Sequence, residues 1–292
     1  MSRYLDSLAA FIREHQLSVY RIAVMEKDTP PEAAVITPAN VCQNSYSVAK
    51  LFTATAIGML CDEGRLSTED RIASILSEEF AVARGIGSID DRWLHTTVDW
   101  ALTQRLGLPG GFLDIDAGDV RTFGKDYLSY LLTYPLQTDP GTAYSYTDGA
   151  YYLLSRVVSK ITGQNLTEYL WERLFSPLDF HEVAWSSCPL GYAMGATGLY
   201  IDAADMVKLG HVYINGGQYN GKRIISADWI QQAKERRYEL NPIGEGPWWG
   251  KGGMLGQMLC MNFNNRRSVA WHGYNTESDK ITAWIKEHDE AF

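Results

Sequence analysis

The stretch "SYSVAKLFTATAIGML", Ser45–Leu60, is apolar on almost every face of the helix that it predicts. We expect this helix to run from Ser47 to about Glu63 within the core, closed by Gly64, because glycine is common just after a helix end. Two polar residues stand at its head, Ser47 and Lys50. Residues three positions apart share a helix face, so the amine of Lys50 can reach the hydroxyl of Ser47.

A serine beside a lysine at a helix start is a candidate for nucleophilic catalysis. The N–H groups and partial positive charge of a helix N-terminus favour an oxyanion there. Lysine, with a pKa of ~10.4, is a poor base in water, but burial or a second cation makes the neutral amine available. A serine is activated when such a base touches it. A lone Ser-x-x-Lys also arises by chance, as an exposed first helical turn.

Strand patterns at both ends of the chain enclose a helical middle. Near the start, two segments predict a hairpin: "LSVYRIAVME" (17–26) and "EAAVIT" (32–37). Near the end, three segments predict short strands: "PWWGKGGM" (247–254), "GQMLCMNF" (256–263) and "RSVAWHGY" (267–274). Amphipathic helices are predicted at 1–16 and 280–292. The two ends are therefore expected to meet in one sheet, with a helical region inserted between them.

Composition excludes several classes of function. The chain has 292 residues and a net charge of −9, which argues against nucleic acid or an anionic membrane as a partner. No apolar run approaches the ~18–20 residues of a membrane span, and the N-terminus lacks the apolar core of a signal peptide, so we expect a cytoplasmic protein. Four scattered cysteines, no HExxH motif and no phosphate-loop motif predict no metal and no cofactor.

Three segments carry a resemblance to a known family: "SVAKLFTATAIGMLCDEGRLSTED", "PGTAYSYTDGAYYLLSRVVSKITG" and "MGATGLYIDAADMVKLGHVYINGGQYNGKRIIS". From about Ser45 to Trp271 the chain resembles the serine β-lactamase and penicillin-binding-protein superfamily, in its class C branch of β-lactamases, DD-peptidases and related esterases. The resemblance implies an α+β fold with a five-stranded antiparallel sheet flanked by helices (three-layer α/β/α) and an inserted all-helical region. An active site would lie in the cleft between the sheet with its flanking helices and the all-helical region.

This fold predicts one domain made of two lobes. The sheet lobe would comprise about 1–60 and 238–292, and the helical lobe about 61–237. By resemblance, Ser47 matches the acylated nucleophile and Lys50 its partner. The family's Tyr-x-Asn element aligns with Tyr146-Thr147-Asp148, where Tyr146 would be the proton carrier.

The family's Lys-Thr-Gly strand aligns with Lys251-Gly252-Gly253. The resemblance places Gly253 and Met254 at the substrate, and the N–H groups of Ser47 and Met254 would form an oxyanion hole, worth several kcal/mol in acyl transfer. Two lysines facing one serine would disfavour each other's protonation and promote a phenolate-like Tyr146.

Each assignment has an alternative. Tyr146 could be one of seventeen packing tyrosines, Asp148 the N-cap of a helix beginning near Gly149, and Lys251 a solvated strand end. "WHGY" around His272 rivals Lys251, since some relatives use His-x-Gly or Trp-x-Gly. We prefer Lys251, because "KGGMLGQMLCMNF" keeps the family's strand–turn–strand spacing and leaves His272 on the following strand, as a packed residue.

Two departures from the family pattern bear on the substrate. Asp148 replaces an Asn whose amide donates to β-lactams, and an ionised Asp cannot donate. Gly252 replaces a Thr or Ser. We therefore predict a cytoplasmic serine hydrolase that forms an acyl-enzyme on Ser47 and acts on small esters, amides or short peptides, with D-amino-acid peptides as one candidate class. The alternatives are a penicillin-binding or sensing module with little turnover and a true class C-type β-lactamase. The sequence leaves the oligomeric state open.

Overall fold

The computed structural model describes residues 2–289 of the chain, in two compact units. Within these residues, the first unit comprises 2–51, Arg173–Ala184 and 199–289, and the second comprises Phe52–Glu172 and Trp185–Gly198. The chain thus leaves the first unit and returns to it twice. Parts of two predicted terminal helices, residue 1 and residues 290–292, lie outside the described residues.

The helices are α1 (Arg3–Glu14), α2 (Ala49–Asp62), α3 (Ile72–Ile75), α4 (Ser77–Ile86), α5 (Val98–Leu102), α6 (Tyr127–Thr133), α7 (Asp148–Thr162), α8 (Leu166–Leu170), α9 (Ala203–Ile214), α10 (Ala227–Arg236) and α11 (Ser278–Glu287). The strands are β1 (Val19–Glu26), β2 (Glu32–Val35), β3 (Gln43–Asn44), β4 (Ala184–Trp185), β5 (Leu199–Ile201), β6 (Gln218–Tyr219), β7 (Lys222–Arg223), β8 (Asn241–Pro242), β9 (Trp248–Gly252), β10 (Met258–Asn262) and β11 (Arg267–Gly273).

The main sheet of the first unit is antiparallel, with strand order β2-β1-β11-β10-β9-β8. The predicted hairpin and the three predicted C-terminal strands are confirmed. β1 pairs with β11 from Val19 opposite Gly273 to Glu26 opposite Arg267, so the two ends of the chain do meet in one sheet. The sheet has one more strand than the predicted five, because Asn241–Pro242 adds a two-residue edge strand beside β9.

Helices cover both faces of this sheet, as predicted. On one face, α1 and α11 pack over a core that includes Ile22, Val269 and Trp271, and the rings of Tyr4 and Trp284 meet edge to face at 5.4 Å. On the other face, α9 lies across β1, β10 and β11. The first unit therefore extends beyond the residues expected for the sheet lobe, because α9 and α10 belong to it.

The second unit holds α3 to α8 and is built around α7. This helix is buried along most of its length, and it packs against α5 and α8. It begins after Thr147 and ends at Gly163, whose φ of 73° suits the left-handed residue that commonly follows a helix. Among the described residues, no helix is both long and apolar enough to cross a bilayer.

Candidate active site

Ser47 lies in a short 3-10 turn, Tyr46–Val48, and α2 begins only at Ala49. The predicted start of the α-helix at Ser47 is therefore two residues too early. The cause is local: Tyr46 has a left-handed backbone with a φ of 46°, and its N–H donates to Oδ1 of Asn44 at 2.9 Å. A non-glycine residue in this conformation costs about 1–3 kcal/mol and persists only where the surrounding structure holds it in place.

The predicted contact between Ser47 and Lys50 is confirmed. The ammonium or amine nitrogen Nζ of Lys50 donates to Oγ of Ser47 at 3.0 Å. Lys50 is fully buried, so its side chain lies within the protein and not in solvent. The structure thus brings together a hydroxyl and an amine, the two groups that a Ser–Lys nucleophile requires.

The backbone that precedes Ser47 is tied down by Leu199. The N–H and the hydroxyl of the buried Ser45 both donate to the Leu199 carbonyl oxygen, each at 2.8 Å. Next to it, β3 pairs with β5, with Asn44 opposite Tyr200. The turn that carries Ser47 therefore starts from a fixed position.

The end of β9 lies against the same turn. A Cβ atom placed on Gly253 would sit 2.5 Å from the carbonyl oxygen of Ser45 and 3.1 Å from Cβ of Tyr46, so only glycine fits there without a shift. The N–H of Gly253 donates to the carbonyl of Gln257 at 2.8 Å, which closes the turn that begins at Met254. The two backbone segments that carry the predicted oxyanion-hole donors are therefore neighbours within the first unit.

Lys251 forms a buried ion pair with Glu239. Nζ of Lys251 lies 2.5 Å from Oε2 of Glu239, and the two residues are 8% and 5% exposed. The alternative of a solvated strand end is therefore wrong. The prediction that two lysines facing one serine disfavour each other's protonation did not include this carboxylate, which balances the charge of Lys251.

Glu239 is a residue that the sequence did not point to. It follows α10 in the short segment from Arg237 to Leu240, where Arg237 and Glu239 have left-handed φ angles of 59° and 55°. Glu239 lies outside the strand that carries Lys251, so no helix or strand periodicity in the sequence could indicate their contact. The one available cue is an acidic residue between two apolar neighbours, Tyr238 and Leu240, both of which are fully buried.

His272, the rival to Lys251, is a buried residue of β11. Its Nδ1 lies 3.1 Å from Oε1 of Gln257, which also accepts from the N–H of Gly273. Burial lowers the pKa of His272 to about 4, so the imidazole is neutral at pH 7. The expectation of a packed histidine on the strand that follows "KGGMLGQMLCMNF" is confirmed.

Tyr146 belongs to the second unit and is half-buried. Its carbonyl oxygen accepts from the N–H of Gly111 at 2.9 Å. The next residue, Thr147, donates its N–H to Oε1 of Gln104 at 3.1 Å and its hydroxyl to the carbonyl of Phe112 at 2.7 Å. Gln104 is buried with a φ of 59°, and it is a positioning residue that the sequence did not reveal.

Asp148 is the first residue of α7 and is 7% exposed. The alternative that it caps this helix is wrong, because the cap is Thr147, whose Oγ1 accepts from the N–H of Gly149 at 3.1 Å. Asp148 instead brings its charge to the positive end of the helix. Its side chain has two acidic neighbours, Asp114 and Asp116, and one carboxylate oxygen from each of the three lies within 4.8 Å of the others.

These three carboxylates are the group within residues 2–289 whose spacing could admit a metal ion. Calcium takes six to eight oxygen ligands, roughly twice what three monodentate carboxylates supply, and Asp116 already accepts a hydrogen bond from the Thr197 hydroxyl. What the arrangement offers on its own is a concentration of hydrogen-bond acceptors and negative charge at the start of α7.

The sequence matches the family model described as Beta-lactamase over residues 37–276. Penicillin-binding protein 4 from Amycolatopsis lactamdurans is 32% identical over 178 residues, which is 60% of this chain and 43% of that protein. The 6-aminohexanoate-dimer hydrolase from Paenarthrobacter ureafaciens is 25% identical over 260 residues, 81% of this chain and 62% of that protein. The chain thus spans less than two thirds of either relative.

Among solved structures, a D-stereospecific amidohydrolase from Streptomyces sp. superimposes with a TM-score of 0.70 over 96% of this chain and 98% of that one. The two sequences are 15% identical, so this likeness speaks for a shared fold. It agrees with the antiparallel sheet flanked by helices described above.

Proposed function

This chain belongs to the Beta-lactamase family, and from that premise we propose that it is a serine hydrolase of small amides and esters that forms an acyl-enzyme on Ser47. The observation that carries the proposal is the hydrogen bond of 3.0 Å between Nζ of the buried Lys50 and Oγ of Ser47. It supplies a base in contact with a hydroxyl, which is the requirement for turning serine into a nucleophile.

In the first half of the proposed reaction, Oγ of Ser47 attacks the carbonyl carbon of the substrate. The hydroxyl proton passes to neutral Lys50, and Tyr146 delivers a proton to the leaving nitrogen or oxygen. The bond to the leaving group then breaks and an ester to Ser47 remains. In the second half, a water loses its proton to the same groups, attacks that ester and releases the acid and Ser47.

The negative oxygen of each tetrahedral intermediate would accept from the N–H groups of Ser47 and Met254. The support for this step is the close approach of Gly253 to the carbonyl of Ser45, which holds the two donor segments together without an intervening side chain. Donors that are fixed before the reaction stabilise the developing charge without reorganising, and losing one typically costs about 2.7–4 kcal/mol.

Lys251 would act as a fixed hydrogen-bond donor to the reacting groups. Its ion pair with Glu239 supports this role, because the carboxylate holds both the position and the charge of the ammonium. A lysine that stays charged is a donor and not a base, so we assign proton removal from Ser47 to Lys50 alone.

For the substrate, we propose amides that carry an ammonium or N–H close to the scissile carbonyl, such as D-amino-acid amides. The acidic group of Asp114, Asp116 and Asp148 supports this class, because three carboxylates present acceptors and negative charge. Two similar proteins agree in reaction type, since one relative is a 6-aminohexanoate-dimer hydrolase and one structural neighbour is a D-stereospecific amidohydrolase.

A second candidate is a penicillin-binding module that is acylated and releases the product slowly, which the 32% identity to penicillin-binding protein 4 favours. Intact mass spectrometry separates the two. The protein is incubated with a fluorophosphonate and, in a separate sample, with a penicillin, and the mass is followed over time. We expect a fluorophosphonate adduct on the native protein and none on Ser47→Ala, and a penicillin adduct that decays within minutes if the protein is a hydrolase.

A penicillin adduct that persists for hours would identify the binding module. Labelling of Ser47→Ala to the same extent as the native protein would contradict both candidates, because both need Ser47 as nucleophile. Circular dichroism of the variant shows whether the fold is retained.

A further inference from the structure

The second unit contains a cavity of about 480 Å³ that plays no part in the proposed reaction. It is bordered by the second half of α7, the turn into α8 and the segment from Leu190 to Tyr192. Arg156 of α7 lines it, eight residues after Asp148. At 1.5 Å per residue, this places Arg156 about 12 Å along the helix from Asp148.

Arg156 is a buried arginine, 6% exposed, that has no acidic partner. Its guanidinium carbon lies 3.6 Å from the centre of the Tyr192 ring, and Nη1 donates to the Tyr152 hydroxyl at 3.3 Å. Among residues 2–289, no carboxylate oxygen comes within ion-pair distance of it. Burial raises the pKa of Tyr152, so this phenol stays neutral and does not balance the charge.

The nearby acids, Glu78 and the cavity-lining Glu79, both pair with Lys160. Nζ of Lys160, which lines the same cavity, lies 2.6 Å from Oε2 of Glu78 and 3.4 Å from Oε1 of Glu79. Each charged group in this region therefore has a counterion except Arg156. A buried cation without a counterion is unfavourable unless something from solution supplies the missing charge.

We propose that this cavity binds the carboxylate of a small organic acid, with the Arg156 guanidinium as its principal contact. A guanidinium has five N–H donors in a planar fork, and the Tyr152 hydroxyl takes one of them. The Tyr192 ring fixes the plane of that fork, and Arg156 lines the cavity. A planar fork in a fixed orientation matches the two oxygens of a carboxylate.

This inference does not depend on the proposed hydrolase reaction, because Arg156 and Tyr192 take no part in it. The same fork also attracts inorganic phosphate, so the two anions must be compared directly. The probes are propionate and phosphate, titrated into the full chain by isothermal calorimetry at constant ionic strength. We expect one site that binds propionate more tightly than phosphate. Arg156→Gln should lower the affinity for propionate at least about tenfold.

Phosphate binding as tight as propionate binding would overturn the carboxylate assignment. Propionate binding that Arg156→Gln leaves unchanged would overturn the site itself. Arg156→Lys keeps the positive charge without the planar fork. We expect its affinity for propionate to lie between those of the native protein and Arg156→Gln.

Since Arg156→Gln could lose its fold, a second pair of variants keeps Arg156 in place. Ser159 also lines the cavity, one helical turn from Arg156. Ser159→Glu supplies a carboxylate from within the chain, so it should abolish propionate binding and raise the Tm. Ser159→Gln has nearly the same size without the charge and should bind propionate within about twofold of the native protein. Equal affinity in the Glu and Gln variants would refute the proposal.

Discussion

Glu239 and Lys251 are joined by an ion pair of 2.5 Å from which water is almost excluded. Glu239 adopts a left-handed backbone to reach it, with a φ of 55°. Two unfavourable conditions, a buried charge and a strained residue, thus coincide at one contact. Such a contact makes the position of Lys251 dependent on a residue twelve positions earlier in the chain.

Replacing Glu239 should therefore damage both stability and activity. Glu239→Gln leaves the ammonium of Lys251 without a counterion, and breaking a buried pair in this way costs about 3–5 kcal/mol. Urea unfolding measures the loss. Glu245→Gln is the control, since Glu245 is exposed and its replacement should change the free energy of unfolding by less than about 0.5 kcal/mol. A Glu239→Gln effect no larger than that of the control would mean that the pair contributes nothing.

Lys50 and Tyr146 should act as one unit in proton transfer. Lys50→Ala and Tyr146→Phe are each expected to lower the rate of acylation by p-nitrophenyl butyrate at least ~10²-fold, the usual scale of general acid–base help. The double variant should lose far less than the product of the two single losses, since groups that act together are not additive. Stopped-flow release of p-nitrophenol measures all three. Fully multiplicative losses would show that the two residues act independently.

Lys251 should matter for catalysis and His272 for packing. Lys251→Ala is expected to lower kcat strongly, because it removes a donor from the site. His272→Ala empties a space in the fully buried part of β11, so it should lower the Tm while kcat of the folded protein changes little. Turnover is measured well below the Tm of each variant. If His272→Ala were the more damaging to kcat, the family's Lys-Thr-Gly strand would correspond to "WHGY" and not to Lys251-Gly252-Gly253.

Asp148 should select for substrates with a free amine. Asp148→Asn keeps the shape of the side chain, and the cap of α7 is Thr147, so the free energy of unfolding should change by no more than about 1 kcal/mol. The ratio of kcat/KM for a D-amino-acid amide and its N-acetyl analogue should shift toward the acetylated substrate, because an amide can donate to its carbonyl. An unchanged ratio would place the specificity elsewhere.

Gly253 should tolerate no side chain. In Gly253→Ala the new Cβ would lie 2.5 Å from the Ser45 carbonyl oxygen, so β9 and the Ser47 turn must separate. We expect a loss of about 1–3 kcal/mol in stability and a slower acylation rate. Gly85→Ala is the matched control, because its added Cβ would meet no atom within 4 Å apart from its chain neighbours and the backbone of its own helix, and alanine favours the helix by roughly 1 kcal/mol. A Gly253→Ala protein as stable and active as the control would disprove the close approach.

Local patterns predicted most of the sheet and the centre of the site. Alternating and β-branched residues marked β1, β2 and β9 to β11, and the three-residue spacing of Ser47 and Lys50 predicted their contact, since both signals depend on near neighbours. β8 has two residues, too few for any periodicity. The 3-10 turn before α2 depends on Asn44, whose side chain takes the Tyr46 N–H.

Sequence patterns could not predict contacts between segments that are far apart along the chain. Glu239 meets Lys251 through two left-handed residues, a conformation that no propensity predicts for Arg or Glu. Asp114 and Asp116 lie near Asp148 only because an irregular loop brings them there. The catalytic and binding roles of the site residues stay predictions for the experiments above.

The pairing of β1 with β11 has a consequence for synthesis on the ribosome. Glu26 and Arg267, which close this pair with a partly buried ion pair, are separated by 241 positions along the chain. At about 5–20 residues per second, β1 exists for roughly 12–50 s before its central partner is made. During that interval its apolar edge can meet other nascent chains or chaperones. Slower translation of the segment between β1 and β11 should therefore increase aggregation of this protein in a cell-free system.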